Sequence, residues 1–70
     1  NSRCRITYNI SEDGTITITD VAGKVVLQKP ISRGVGRFVW SADNVPSGMY
    51  FARVRTSSGV ERTIPLILVK

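Results

Sequence analysis

Apolar and polar residues alternate with a period of two through much of the chain. In residues 4–10 (CRITYNI) every second side chain is apolar or aromatic, and in residues 15–19 (TITIT) isoleucines alternate with threonines. Successive side chains of a β-strand point to opposite faces, so these segments predict strands with one buried face. No segment has the spacing of an amphipathic helix. The pattern therefore predicts an all-β protein.

The same alternation predicts about six strands, separated by turn residues. They cover residues 4–10, 15–19, 24–29, 37–40, 49–56 and 60–70. Strands at this spacing are typical of a sandwich or a barrel. Two small antiparallel sheets packed face to face cover all the apolar faces without helices. We therefore expect a small antiparallel β-sandwich.

The connections contain turn chemistry. Residues 11–14 (SEDG) predict a hairpin with Gly14 in a left-handed conformation, which would join the first three strands into a meander. Residues 20–23 have Asp first and Gly fourth, as type I turns prefer. Pro30 cannot donate a ladder hydrogen bond, so it is predicted to end the third strand and to leave residues 31–36 as a loop or a ragged edge.

A stronger break precedes residue 49. Asn44, Pro46 and Gly48 supply a turn, a fixed φ and a permissive φ in that order. We interpret this as a corner at which the chain leaves one sheet and enters the other. The strand beyond the corner alternates regularly and has no proline, so it is predicted to be central.

Length and composition limit the possibilities further. Seventy residues with 41% hydrophobic content indicate one globular domain. No apolar run approaches the roughly 20 residues of a transmembrane helix. The chain begins NSRCR, without Met or a signal segment, so we expect it to be one piece of a longer protein. The single cysteine, Cys4, is either a buried small hydrophobe or half of an intermolecular disulfide.

Catalytic chemistry is not indicated. The chain has no histidine and one cysteine, which removes the commonest general base and the thiolate zinc sites. Calcium at Asp13 or at Asp43 and Asn44 would need alternating oxygen ligands that neither loop has. The acidic residues all fall in or beside predicted turns: Glu12, Asp13, Asp20, Asp43 and Glu61. We therefore predict a non-enzymatic domain without metal or cofactor.

The basic residues suggest a partner. Ten Lys and Arg against five Asp and Glu give a net charge of +5, which favours anionic partners. Arg53 and Arg55 share one strand face, and Arg37 is predicted on the outer face of a neighbouring strand. The residues that would extend this patch are Arg5, Lys24, Lys29 and Arg62. The patch either keeps the sheets soluble or binds an anionic surface or polysaccharide.

The aromatic side chains weaken one class of anionic partner. Tyr8, Phe38, Trp40 and Tyr50 are predicted to face inward, which leaves Phe51 alone beside the arginines. Binding of nucleic acid on a sheet needs several stacking platforms, so the sequence argues against it. Because Phe51 is predicted to be exposed, carbohydrate binding by this face stays a hypothesis.

Four segments, in order, resemble a known family. They are residues 20–26 (DVAGKVV), the strand of Trp40, residues 46–51 (PSGMYF) and residues 66–70 (LILVK). The sequence is similar to the C-terminal sorting domains of the type IX secretion system. It also resembles the related Ig-like module of flagellar hook-capping proteins.

The resemblance implies an Ig-like β-sandwich of six to seven strands at the C-terminus of a larger secreted protein, with a hydrolytic enzyme upstream. Such a domain is an export address, read by the outer-membrane translocon and then removed or exchanged for a link to anionic lipopolysaccharide. The final strand is recognisable by strand addition to a receptor sheet. The positions that match the family pattern are Gly23, Lys24, Val25, Val26, Ser47, Gly48, Met49, Tyr50, Leu68, Val69 and Lys70.

The resemblance places the parent protein outside the cell, secreted or on the surface of a Gram-negative bacterium. The high isoelectric point, about 10.2, resembles that of basic terminal domains on plant-wall hydrolases and implies retention on anionic surfaces. Three hypotheses therefore stay open: an export signal, a basic adhesion module, and a passive Ig-like spacer.

Overall fold

The computed structural model describes residues 3–69 and contains six strands there. The strands are β1 (Arg3–Ile10), β2 (Gly14–Asp20), β3 (Val25–Ile31), β4 (Gly34–Ser41), β5 (Gly48–Thr56) and β6 (Glu61–Leu68). The predicted all-β class is confirmed. In the part of the chain that the structure describes, no helix has the length and apolar content to cross a membrane.

The strands form two antiparallel sheets, as predicted. Sheet A has the order β1-β4, and sheet B has the order β3-β2-β5-β6. The register brings the turn at residues 21–24, the connection 42–47 and the end of β6 to one end, which we call the upper end. Residues 11–13, 32–33 and 57–60 lie at the opposite, lower end. Strand β5 lies between β2 and β6, so its predicted central position is confirmed.

The core fills the space between the two sheets. Ile16 and Ile18 of sheet B are completely buried, and Trp40 of sheet A is 5% exposed. The Trp40 and Tyr50 rings meet edge to face, with centroids 5.4 Å apart and planes at 77°. This geometry suits the ring quadrupoles and contributes about 0.5–1.5 kcal/mol beyond the area buried. The predicted inner faces of β1, β2, β4 and β5 are confirmed.

The predicted meander of the first three strands is wrong. Strand β1 pairs with β4, while β2 pairs with β3 and β5. Residues 11–13 therefore cross from sheet A to sheet B instead of turning a hairpin. Hydrogen bonds to distant connections hold this crossing: the Asp13 carboxylate accepts from the Arg33 N–H at 2.8 Å, and the Asp13 carbonyl accepts from the Ser57 N–H at 2.9 Å.

The reason for glycine at position 14 also differs from the prediction. Gly14 is not among the residues with positive φ, so no left-handed conformation requires it. A Cβ at this position would lie 2.6 Å from the carbonyl oxygen of Arg55 on the neighbouring strand. Glycine is needed here because two backbones approach closely at the lower end of sheet B.

The prediction that Pro30 ends the third strand is wrong as well. Strand β3 continues through Pro30 to Ile31, and residues 34–36 belong to β4. Pro30 is tolerated because β3 is an edge strand, so its missing N–H can face away from the ladder. Lys29 points into the sandwich from the same edge, with its Nζ 5.5 Å from the centre of the Phe38 ring.

Candidate functional site

The upper end of sheet B brings together three segments that are distant in sequence. In the strand register Thr19 lies opposite Val25 and Phe51, Asp20 lies opposite Tyr50, and Gly48 lies opposite Leu68. The positions singled out by the family resemblance therefore share one end of the molecule: Gly23, Lys24, Val25, Val26, Ser47, Gly48, Met49, Tyr50, Leu68 and Val69. Lys70, the last of the predicted set, lies outside the described residues.

Asp20 shapes the first of these segments. Its Oδ1 accepts hydrogen bonds from the N–H groups of Ala22 and Lys24, both at 2.9 Å. The Gly23 N–H donates to the Asp20 carbonyl at 3.1 Å, which confirms the predicted turn. One carboxylate thus organises the whole connection, because an aspartate side chain can bind backbone donors two to four residues further on.

Tyr50 fixes the second segment. Its hydroxyl donates to the carbonyl of Pro46 at 2.6 Å, across the connection that carries the chain from sheet A to sheet B. Tyrosine corners of β-sandwich domains use the same kind of bond. Gly48 has a φ of +153°, so a residue with a side chain would be strained there. The predicted corner before β5 is confirmed.

Exposed apolar side chains cluster at this end. On the outer face of sheet B, Met49 of β5 lies opposite Ile67 of β6 in the register, and Ile67 is 74% exposed. The other large exposed hydrophobic side chains at the upper end are Val21, Val25 and Val69. Exposed apolar side chains contribute little to the isolated fold, and a group of them at one end is a candidate contact surface for a partner. We call these five side chains the upper-end apolar cluster.

The arginines predicted to bind anions do not share a surface. Arg53 and Arg55 lie on the outer face of sheet B, and the Arg55 Nε is 3.7 Å from the Glu61 Oε2. Arg37 alternates with the inward Phe38 in β4, so it lies on the outer face of sheet A, on the opposite side of the sandwich. The expectation that β4 and β5 are neighbours is wrong, because they belong to different sheets.

The residues predicted to extend this patch are also dispersed. Arg5 lies on the outer face of sheet A, two register positions from the pair that Arg37 forms with Thr7. Lys24 lies in the upper-end turn, and Lys29 lies against Phe38 at the β3 edge. Arg62 of β6 lies opposite the inward Val54 of β5 and faces the space between the sheets. Sheet A therefore carries one cationic face, and sheet B carries another.

The aromatic residues lie as predicted. Trp40 and Tyr50 are buried, Tyr8 and Phe38 pack partly buried against the core, and Phe51 lies on the outer face of sheet B. Phe51 opposes Thr19 on one side and Pro65 on the other. It therefore lies next to the upper-end apolar cluster rather than on a wide aromatic platform.

Three acidic residues accept hydrogen bonds that hold connections in place. The carboxylates of Asp13 and Asp20 accept backbone N–H groups, and Glu12 accepts from Ser57, from the Ser58 N–H and from the Ser58 hydroxyl. The hydrogen bond from the Ser58 hydroxyl, with smaller contributions from neighbouring groups, holds the pKa of Glu12 below its ordinary value. Within residues 3–69 no three Asp, Glu, His or Cys side chains lie together as metal ligands would. Cys4 is a free, half-buried thiol that packs against the core, beside Trp40 in the register.

Sequence reasoning missed the upper-end apolar cluster as a unit. Alternation placed Met49 and Ile67 on strands, but it could not show that β5 and β6 pair with these two residues opposite each other. The signal that was available is composition: Ile64 to Val69 contains more large apolar residues than one inward face can use. The upper half of such a strand has apolar side chains on both faces.

Comparison with known proteins identifies the family of the chain. The family model described as secretion system C-terminal sorting domain matches residues 1–68, nearly the whole chain. No curated protein and no solved structure matches the chain. The match confirms the resemblance that the four sequence segments indicated. The chain belongs to the family of secretion system C-terminal sorting domains, the non-catalytic signals of type IX secretion.

Proposed function

We propose that the upper end of sheet B is the surface through which the secretion machinery recognises this domain. The observation that carries the proposal is the convergence of three family-matching segments with the five exposed side chains of the upper-end apolar cluster. Burying such side chains against a receptor is favourable, at about 25 cal/mol per Å². A folded sandwich can therefore serve as an address, with a defined apolar end for a receptor to bind.

The final strand adds a second mode of recognition. Strand β6 is at the edge of sheet B, and Pro65 interrupts its donors only at the middle of the strand. Beyond Pro65, Leu66 and Leu68 pack inward while Ile67 stays exposed. We infer that this upper half of β6 pairs with a strand of the receptor, because an exposed sheet edge is a template for strand addition.

An export assay tests the recognition surface. Residues 1–70 are fused behind a signal peptide and a reporter in a host that has a type IX system. The double variant Met49→Asp and Ile67→Asp puts two charges into the upper-end apolar cluster without touching the core. We expect the reporter to accumulate in the periplasm, with export reduced about tenfold or more, since two unpaired carboxylates would be desolvated on binding.

The matched control places the same change on the other sheet. Val35 is 83% exposed on the outer face of sheet A, and Val39 is exposed on the same face. The double variant Val35→Asp and Val39→Asp should export normally. Equal export of both double variants would refute recognition at the upper end. Periplasmic retention of the unmodified fusion would refute the sorting role of this chain itself.

The same assay addresses the fate of the exported protein. We propose that the domain serves an upstream hydrolytic enzyme and that the parent protein is retained at an anionic cell surface. The outer face of sheet A supports retention, because its strands carry Arg3, Arg5 and Arg37 and no carboxylate. We expect salt to release the exported reporter from the cell surface. The double variant Arg5→Glu and Arg37→Glu should release it as well. A surface link that resists salt and both reversals would indicate covalent attachment or a passive spacer instead.

A further inference from the structure

The sandwich has four strand edges, and they are not equally protected. Edge strands usually avoid pairing with other chains by means of prolines and inward-pointing charges. Strand β3 has both, in Pro30 and Lys29, and so does β6, in Pro65 and Arg62. Lys29 also covers Phe38 of β4 from the β3 side. Strand β1 has neither device: its inward side chains are those of Cys4, Ile6, Tyr8 and Ile10.

The unprotected edge borders an open groove. Sheet A has two strands over the four of sheet B, so it leaves part of the inner face of β5 and β6 without a cover. A cavity of about 550 Å³ lies there, along residues 6–10 of β1. Val54, Val60 and Ile64 form part of its apolar floor. Ile64 opposes the buried Ala52 and so belongs to the inner face, yet it is 54% exposed.

We propose that this groove accepts an extended strand from a partner protein, which pairs with β1 and becomes a third strand of sheet A. Strand addition supplies backbone hydrogen bonds for the free edge of β1 and alternate side chains for the groove. The five lining residues of β1 span ~17 Å, so a segment of about six residues fills the site. The incoming strand would direct apolar side chains toward Val54 and Ile64.

Charge identifies the chemistry of that strand. Of the residues that line the groove, Arg62 is the one with a formal charge, and no described carboxylate is paired with it. A partner strand with a carboxylate at the Arg62 end satisfies this cation. A second copy of the chain fits less well. It would bring Arg3 and Arg5 on its own β1 and a net charge of +5. We therefore expect an acidic, alternating apolar segment.

This proposal does not depend on the proposed function. The groove lies at the lower half of β5 and β6, between the sheets, whereas Met49 and Ile67 of the upper-end apolar cluster lie on the outer face. The two sites can be tested separately, and the failure of one leaves the other intact.

The test uses the 70-residue chain and a synthetic peptide. The peptide alternates valine with threonine over six residues and ends in one glutamate. Amide chemical shifts and hydrogen exchange of the labelled chain are measured as the peptide is added. We expect slowed exchange at alternate amides of β1, with shifts at residues 60–64. The same peptide with N-methyl groups on one edge should bind at least tenfold more weakly, because it cannot donate to β1.

Two variants identify the groove. Ile64→Lys puts a charge into it at a half-exposed position that does not hold the fold, and should weaken peptide binding about tenfold or more. Ile67→Lys, on the same strand but the opposite face, should bind the peptide normally. Arg62→Glu should weaken the glutamate peptide and be rescued by a peptide with lysine in that place. If Arg62 had only a structural role, Arg62→Glu would not change the preferred peptide from the glutamate form to the lysine form.

Three results would overturn the proposal. One is the absence of any effect of the peptide on β1 amides at millimolar concentration. Another is equal loss of binding for Ile64→Lys and Ile67→Lys, which would place the peptide elsewhere. The third is protection of β1 that appears without peptide, increases with chain concentration and accompanies dimerisation in sedimentation, which would make a second copy the occupant.

Discussion

The two ends of the sandwich differ in their hydrogen bonding, while exposed apolar side chains occur at both, with Val35 and Val60 at the lower end. At the lower end, polar groups join three connections that are distant in sequence: Asp13 contacts Arg33 and Ser57, and Glu12 contacts Ser57 and Ser58. At the upper end, the hydrogen bonds of Asp20 and Tyr50 each stay within one connection, and large apolar side chains face solvent.

This difference assigns stability of the fold to one end and contact with a partner to the other. Hydrogen bonds between distant connections fix how the sheets are joined, and they leave few unsatisfied groups for a partner. Exposed apolar side chains contribute nothing to the isolated fold, but they favour association. A small domain that must be both stable and recognised can therefore hold itself together at one end and present a surface at the other.

The largest effect is expected in the core that joins the two ends. Trp40→Ala removes the indole that packs edge to face against Tyr50. The expected loss is about 3–5 kcal/mol in the free energy of unfolding, which is comparable with the whole stability of a domain of this size. Thermal unfolding followed by far-UV circular dichroism should show no cooperative transition for this variant.

The neighbouring Val39 provides the control, because it lies on the same strand with its side chain exposed. Val39→Ala should change stability by no more than about 0.5 kcal/mol. If Trp40→Ala melted at the same temperature as the parent chain, the packing of Trp40 against Tyr50 would not be what stabilises the sandwich.

A smaller effect tests the lower end. Asp13→Ala removes the acceptor for the Arg33 N–H and should lower the free energy of unfolding by about 1 kcal/mol in urea titrations. Asp13→Asn keeps an oxygen acceptor and should recover more than half of that loss. An unchanged midpoint for Asp13→Ala would mean that the backbone bond from Ser57 holds the crossing by itself.

The smallest effect concerns pH. The pKa of Glu12 is lowered in the folded chain, first by the Ser58 hydroxyl, so the ionised form is favoured by folding. Its contribution to stability is complete above the ordinary pKa of about 4.5 and is lost as pH falls through the lower folded value. Melting temperatures at pH 6 and pH 3 should therefore differ less for Glu12→Gln than for the parent chain. An identical difference would show that the Ser58 bond has no influence on folding.

Much of the fold follows from local pattern. Alternation correctly assigned the faces of Ile6, Ile18, Trp40 and Tyr50, because the period of a strand determines which side chains are on the same side. The turn at Asp20 and the corner before Tyr50 were also predictable, since both depend on bonds within a few residues.

Strand order was not predictable in this way. Residues 11–14 have the composition of a hairpin turn, and only contacts with Arg33, Ser57 and Ser58 make them a crossing between sheets. The same limit applies to the candidate site. Alternation showed that Arg37 and Arg53 are exposed, but their relation depends on which sheet each strand joins. The three segments of the upper end are likewise adjacent through register rather than through sequence.

The packing of Trp40 against Tyr50 has a consequence for experiment. The chain has one tryptophan, and its indole lies 5.4 Å from a phenol that is itself tied to the connection of the upper end. Light absorbed by Tyr50 can pass to the indole at this distance, and the transfer becomes less efficient as the rings move apart. Emission of the single tryptophan therefore reports on the folding of the isolated domain without any label.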